Sequence, residues 1–267
     1  KKYLKEKIVI KCGGRVLLDP SLFENFINDI ITLKKLGITP IVVHGGGPRI
    51  KKKLDELNIE TKFILGLRVT DEKVIKVVEE VMIQFNKEIV DALDKKECKA
   101  KSVTIKENIA IYVEQKNKEL GYVGFPSKID TNIIKNLIKT DFIPVVTPMG
   151  LDKNNQAYNI NADTAAGALA TNLKSRRLLL MTDVEGVYDE NKKLISEIKP
   201  AEAEKLINNN TISGGMIPKI RTCINSVENG VRGVVIIDGR KQHSILFELF
   251  SDEGAGTLIR KWKIYKI

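Results

Sequence analysis

Four short clusters gather the glycines, lysines and carboxylate able to do chemistry in this chain. They are Lys11-Cys12-Gly13-Gly14, His44-Gly45-Gly46-Gly47-Pro48, Asn159-Ile160-Asn161-Ala162-Asp163 and Gly214-Gly215-Met216-Ile217-Pro218-Lys219. Glycine lets backbone N–H groups come close to an anion, and a helix that starts just after adds its positive end. Pro48 suits the first turn of such a helix. Either glycine turn alone also reads as a tight strand-to-helix connection with no ligand; two of them, one led by Lys11, favour an anion site. On local grounds Asn161 is as well suited to capping a helix as to binding, with Asp163 near that helix's positive end. Lys219, one turn inside its helix, reads equally well as a solvated surface lysine. The chemistry these groups offer together is the handling of phosphate.

Other routes to that chemistry are missing. No Gly-Lys dipeptide occurs, so there is no Walker A loop, and no GxGxxG follows a strand. The protein-kinase signatures HRD and DFG are absent too. His44 ends a strand inside the glycine turn and His243 opens a short apolar helix; two histidines make a poor catalytic constellation, and both are read as structural. Cys12, Cys98 and Cys223 stand far apart with no CxxC pair, which suggests neither a zinc site nor a disulfide framework, and a reducing cytoplasm fits best.

The elements that must position these clusters are legible as apolar runs. Lys7–Ile10, Pro40–Val43, Ile143–Val146, Leu178–Met181 and Val234–Ile237 are short and mostly β-branched, as buried parallel strands are. Helical periods occupy 20–36, 71–93, 162–173, 201–208 and 217–228. Such alternation predicts an α/β fold, a sheet covered by helices on both faces. Several clusters begin where an apolar run gives out, at the carboxyl ends of strands where open α/β sheets bind ligands. Between Lys101 and Gly121 the rhythm breaks: 102–105 and 109–113, joined by Lys106-Glu107-Asn108, predict a hairpin.

Composition excludes several classes. With 43% hydrophobic and 29% charged residues over 267 positions, the chain is neither disordered nor fibrous. Lys+Arg exceed Asp+Glu by 44 to 34, a net charge of +10, but the lysines are dispersed among acidic residues. No nucleic-acid partner is expected on that pattern. No apolar run is long enough for a membrane span, and Lys1–Glu6 lacks a signal-peptide core, so no membrane is expected and the location is read as cytoplasmic.

With these clusters in hand, and with Gly66-Leu67-Arg68-Val69-Thr70-Asp71, Val123-Gly124, Thr182-Asp183-Val184-Glu185-Gly186-Val187 and Ile237-Asp238-Gly239-Arg240 in the same order, the chain resembles the amino-acid-kinase family. Within it, the likeness is to the branch whose acceptor is N-acetyl-L-glutamate. The resemblance implies a three-layer αβα sandwich with a mainly parallel central sheet, and one domain over 1–267. Its N-terminal lobe, about 1–173, would carry the acetylamino-acid site and dimer contact, and its C-terminal lobe, about 174–267, the ATP site. It implies transfer of the γ-phosphoryl group of ATP, with Mg²⁺ carried by the ATP and no resident metal, to the acceptor's γ-carboxylate in arginine biosynthesis. Lys11 and Lys219 would flank the transferring group, with Asp163 holding both. Gly46, Gly47, Arg68 and Asn159 would bind the acceptor, Arg68 through its α-carboxylate. Gly13 and Gly14 would cradle phosphates, while Thr182, Asp183, Val184, Glu185, Gly186 and Tyr188, with Thr211, Ile212 and Ser213, would take the nucleoside. A carboxylate acceptor with a pKa of about 4.3 is already ionised at neutral pH and needs no general base.

The sequence departs from the family pattern in places. Cys12 stands where relatives carry a bulkier residue, and the 102–119 region lacks a glycine-rich signature. Gly13-Gly14-Arg15-Val16 also resembles kinases acting on carrier-protein-linked aminoadipate or glutamate, which is the alternative acceptor class. Only Lys1–Glu6 precede the first strand, which implies a homodimer; yet 248–257 resembles the segment of arginine-inhibited hexamers, so a hexamer with arginine as inhibitor stays open.

Overall fold

The computed structural model describes residues 3–13 and 16–261. The chain opens with β1 (Lys7–Cys12), α1 (Pro20–Lys35), β2 (Thr39–His44) and α2 (Gly47–Glu56). A small ribbon, β3 (Phe63–Ile64) and β4 (Leu67–Arg68), precedes the long α3 (Glu72–Asp94). Next come β5 (Ala100–Val103), β6 (Ile111–Glu114), β7 (Phe125–Ile129), α4 (Thr131–Lys139), β8 (Ile143–Val146), β9 (Met149–Leu151), β10 (Ala157–Asn159) and α5 (Ala162–Asn172). The remainder is β11 (Arg177–Thr182), β12 (Val187–Tyr188), β13 (Leu194–Ile195), β14 (Glu197–Ile198), α6 (Pro200–Asn208), α7 (Met216–Glu228), β15 (Val234–Asp238), α8 (Ser244–Phe250) and β16 (Gly256–Ile259).

Eight strands form the central sheet in the order β14-β16-β15-β11-β1-β2-β8-β5. Every pairing in it is parallel except β15 with β16. Alternation along β1 shows how the layers arise. Val9 faces a core shared with α4, α5, α6 and α7, whereas Ile8 and Ile10 face one shared with α1, α3 and α8. Each such side chain contributes roughly 1.5–3 kcal/mol when fully buried, so a strand apolar at every position is held between two helical layers. All five strands expected from apolar runs lie in this sheet. Pro40 and Pro144 are the second residues of β2 and β8, near the strand entrances.

Local signals fix the helix starts. Asp19 caps α1 by accepting from the N–H groups of Ser21 and Leu22, with Pro20 at the first helical position. Asp71 does the same for α3 through Lys73 and Val74. Removing either cap should cost about 1 kcal/mol.

The expected 102–113 hairpin is not formed. β5 instead joins the edge of the central sheet in parallel with β8. β6 enters a separate four-stranded sheet, β10-β9-β6-β7. A tight turn at Thr104–Glu107 redirects the chain, with Glu107 O accepting from Thr104 N at 2.9 Å. Alternation reported correctly that both runs are strands, but it carries no information on the partner, and Val145 and Val146 of β8 had an open edge to fill.

Candidate active site

Three charged side chains from distant parts of the chain meet at the carboxyl end of the central sheet. Lys11 comes from β1, Asp163 from the first turn of α5 and Lys219 from the first turn of α7. Lys11 Nζ lies 3.0 Å from Asp163 Oδ1 and Lys219 Nζ 2.5 Å from Oδ2. All three side chains are only 11–12% exposed. Burial alone would raise the Asp163 carboxyl; the ammonium groups of Lys11 and then Lys219 outweigh it and hold the group well below the usual carboxylate range. Two cations on one anion leave a net charge of +1 at the sheet's carboxyl end, suited to a polyanion. Asn161 caps α5, accepting from Asp163 N at 3.0 Å and Thr164 N at 3.1 Å, and so fixes the turn that presents the carboxylate.

The glycine turns sit beside this trio. At Gly13 an added Cβ would press to 3.0 Å from the Met181 carbonyl oxygen, so the first turn lies tightly on β11. Gly14 lies outside the described residues. At Gly46 a Cβ would collide with Met82 Sδ. Gly47 starts α2 and would admit a Cβ freely, so its neighbourhood is open.

A cleft of about 580 Å³ runs past Lys11 and the glycine turns, lined among others by Lys11, Gly13, Gly46, Gly47, Arg68 and Asn159, whereas Asp163 and Lys219 lie behind Lys11 and outside its lining. Arg68 is 8% exposed, donates to the Gly47 carbonyl at 3.2 Å and stacks over the Phe63 ring at 4.8 Å. Burial, only partly offset by Asp55, disfavours its charge. A buried guanidinium with no carboxylate bonded to it among the described residues is suited to an anionic ligand. Asn159 ends β10, and its Nδ2 reaches Thr70 Oγ1 at 3.4 Å.

Thr182 and Asp183 continue the cleft where β11 ends. The other residues expected on the nucleoside side, Val184, Glu185, Gly186 and Tyr188 with Thr211, Ile212 and Ser213, lie beyond its lining. Asn209 donates to Glu190 at 2.9 Å between the stretches flanking these two segments, and Val187 and Ile212 share one core. Glu185 is engaged by Lys241 at 2.6 Å and Tyr188 at 2.9 Å, and Ile212 buries its side chain.

Comparison with known proteins decides the family. The model of the amino acid kinase family matches residues 6–238. The chain belongs to that family. It is 58% identical over 260 residues to "Acetylglutamate kinase" of Pelagibacter ubique, covering 97% of this chain and 90% of that one. It is 45% identical to "Acetylglutamate kinase" of Bradyrhizobium diazoefficiens, with 97% and 92% covered. Among solved structures, the N-acetylglutamate synthase of Neisseria gonorrhoeae complexed with coenzyme A and N-acetyl-glutamate superposes with a TM-score of 0.88 at 23% identity. That match covers 98% of this chain and 61% of the other, and the likeness is one of fold.

In this amino acid kinase, sequence reasoning missed Met82 and Phe63, both of which line the cleft. The helical period of α3 marks Met82 only as buried, and Phe63 belongs to a two-residue strand too short to announce itself. Burial pushes the Cys12 thiol upward, consistent with a packing residue. No helix among the described residues is long and apolar enough to cross a membrane.

Proposed function

We infer that this chain transfers the γ-phosphoryl group of ATP to the γ-carboxylate of N-acetyl-L-glutamate, giving N-acetyl-glutamyl 5-phosphate, a step of arginine biosynthesis. The carrying observation is near full-length similarity to acetylglutamate kinases, combined with a buried cation–anion–cation trio at the end of β1. The ionised acceptor oxygen attacks phosphorus in line, the bond to the β-phosphate oxygen breaks and ADP leaves. Two anions must be brought together, so the protein's task is positioning and charge relief. Lys11 and Lys219 supply that charge on the transferring group, and Asp163 keeps them spaced. Arg68 pairs with the acceptor's α-carboxylate, and Asn159 and the Gly46 and Gly47 N–H groups bind its other polar atoms. The Gly13-Gly14 turn is assigned to the phosphates, with Mg²⁺ entering on the ATP as part of the substrate. The segments 182–188 and 211–213 take the nucleoside.

On this reading 1–173 forms the acceptor lobe and 174–267 the nucleotide lobe of one cytoplasmic domain. The chain works as a homo-oligomer, and sizing with and without arginine separates a plain dimer from an arginine-responsive hexamer. The deciding experiment measures ADP release with N-acetyl-L-glutamate, free glutamate and carrier-linked aminoadipate as acceptors. Turnover selective for N-acetyl-L-glutamate is expected; equal or better turnover with either of the others would sink the acceptor assignment.

A further inference from the structure

His44 is 0% exposed at the end of β2, directly before the second glycine turn. Its Nδ1 lies 3.2 Å from the Gly45 carbonyl oxygen and its Nε2 3.3 Å from Asn86 Nδ2. A carbonyl only accepts, so Nδ1 carries the proton and Nε2 is the acceptor. The orientation of Asn86 is fixed independently. Its Nδ2 also donates to the Val145 carbonyl at 2.8 Å, and a flipped amide would set two oxygens against each other. Burial, opposed by the Gly45 bond and reinforced by Arg49, holds the imidazole neutral, its pKa lowered to about 4, so this tautomer persists at neutral pH.

The consequence lies across one peptide bond. The Gly45–Gly46 peptide is trans, so the Gly45 carbonyl and the Gly46 N–H point in opposite directions. Gly45 is held on both sides, because its own N–H donates to the Cys12 carbonyl at 2.8 Å. With the carbonyl drawn toward the buried ring, the Gly46 N–H is turned the other way, and Gly46 lines the cleft. The Gly46 carbonyl is taken by Ile50 N at 2.9 Å, whereas no described acceptor bonds its N–H. Met82, one helical turn from Asn86 on α3, closes the rear of the turn against Gly46.

We propose that His44 and Asn86 are positioning residues: through the Gly45 carbonyl they aim the Gly46 N–H at the bound acceptor. The inference rests on the acceptor reading given above. It assigns His44 no proton transfer and no contact with substrate. The donor at Nδ1 matters, and the ring as such does not.

The test uses the whole enzyme and ADP release. His44→Asn places an amide N–H near the Nδ1 position, His44→Gln places one near Nε2, and His44→Leu supplies none. The Asn variant should keep the KM for N-acetyl-L-glutamate within about threefold, while the Gln and Leu variants raise it roughly tenfold or more with the KM for ATP unchanged. Thermal melts run in parallel select conditions in which each variant is folded. Equal acceptor KM in the Asn and Gln variants would overturn the proposal. A second measurement needs no variant: the chain has two histidines, and ¹⁵N-histidine NMR of the wild type reads their tautomers. Nδ1–H at His44 is expected, and Nε2–H overturns the proposal. Failure of wild type to turn over N-acetyl-L-glutamate would instead sink the acceptor reading, and the tautomer result would separate the two.

Discussion

Asp163→Asn removes the anion from between two ammonium groups while keeping the side chain's shape. At an effective dielectric near 20, contacts of 3.0 and 2.5 Å correspond to gross attractions of roughly 5–7 kcal/mol each. Desolvation of the buried charges offsets most of this, and losing one partner of such a set typically costs about 3–5 kcal/mol. At about 2–4 °C per kcal/mol for a chain of this size, the melting temperature should fall by roughly 10 °C. Turnover should fall by about 10²–10³, because the lysines lose the group that spaces them around the phosphoryl. The pH dependence has a definite sign. The folded-state carboxyl titrates below its unfolded value of about 3.9, so its stabilisation is fully present above that value and is lost only as pH falls through the lower, folded one. The gap in melting temperature between wild type and variant should therefore stay flat from pH 8 to 5, followed by differential scanning fluorimetry alongside coupled ADP release. A gap that closes between pH 6 and 5, or a variant with wild-type turnover and melting, would refute the reasoning.

Lys11→Ala and Lys219→Ala should each lower kcat by about 10²–10³ with little change in either KM, measured by steady-state kinetics; near-normal turnover in either would remove that lysine from the reaction. Arg68→Lys loses the planar fork and should raise the acceptor KM about tenfold while sparing kcat; an unchanged KM would leave Arg68 a structural residue. His243 Nδ1 lies 2.7 Å from Asp29, whose side chain is 3% exposed. His243→Ala should cost about 1–3 kcal/mol by thermal melting, since a buried carboxylate loses its partner. Burial raises the Asp29 pKa against the opposing His243 bond, so Asp29 favours the fold below its unfolded value and loses that contribution as pH rises through the folded one. The variant's deficit should thus be smaller at pH 4 than at pH 7, and a larger deficit in acid would contradict it.

What the sequence made legible follows from which physical signals are local. The core strands are apolar at every position because both faces are covered, and that pattern needs no tertiary knowledge to read. The glycine turns were visible because they interrupt such runs where β1 and β2 end. Partner choice was not visible, as β5 and β6 show: alternation specifies a strand and leaves its neighbour open. Nor do the short strands of the second sheet carry enough residues to establish a period. At the site, Lys219 resembled any surface lysine until α7 was packed against α5, and Asn161 was read as a possible helix cap, which it is. Met82 and Phe63 carry no motif at all; only placement brings them to the cleft.

The carboxylate that meets two lysines does so across long stretches of chain, 56 residues to one of them. Contacts this distant in sequence close late, after the local helices have formed. Recovery of activity from denaturant should consequently trail the return of the far-ultraviolet dichroism signal.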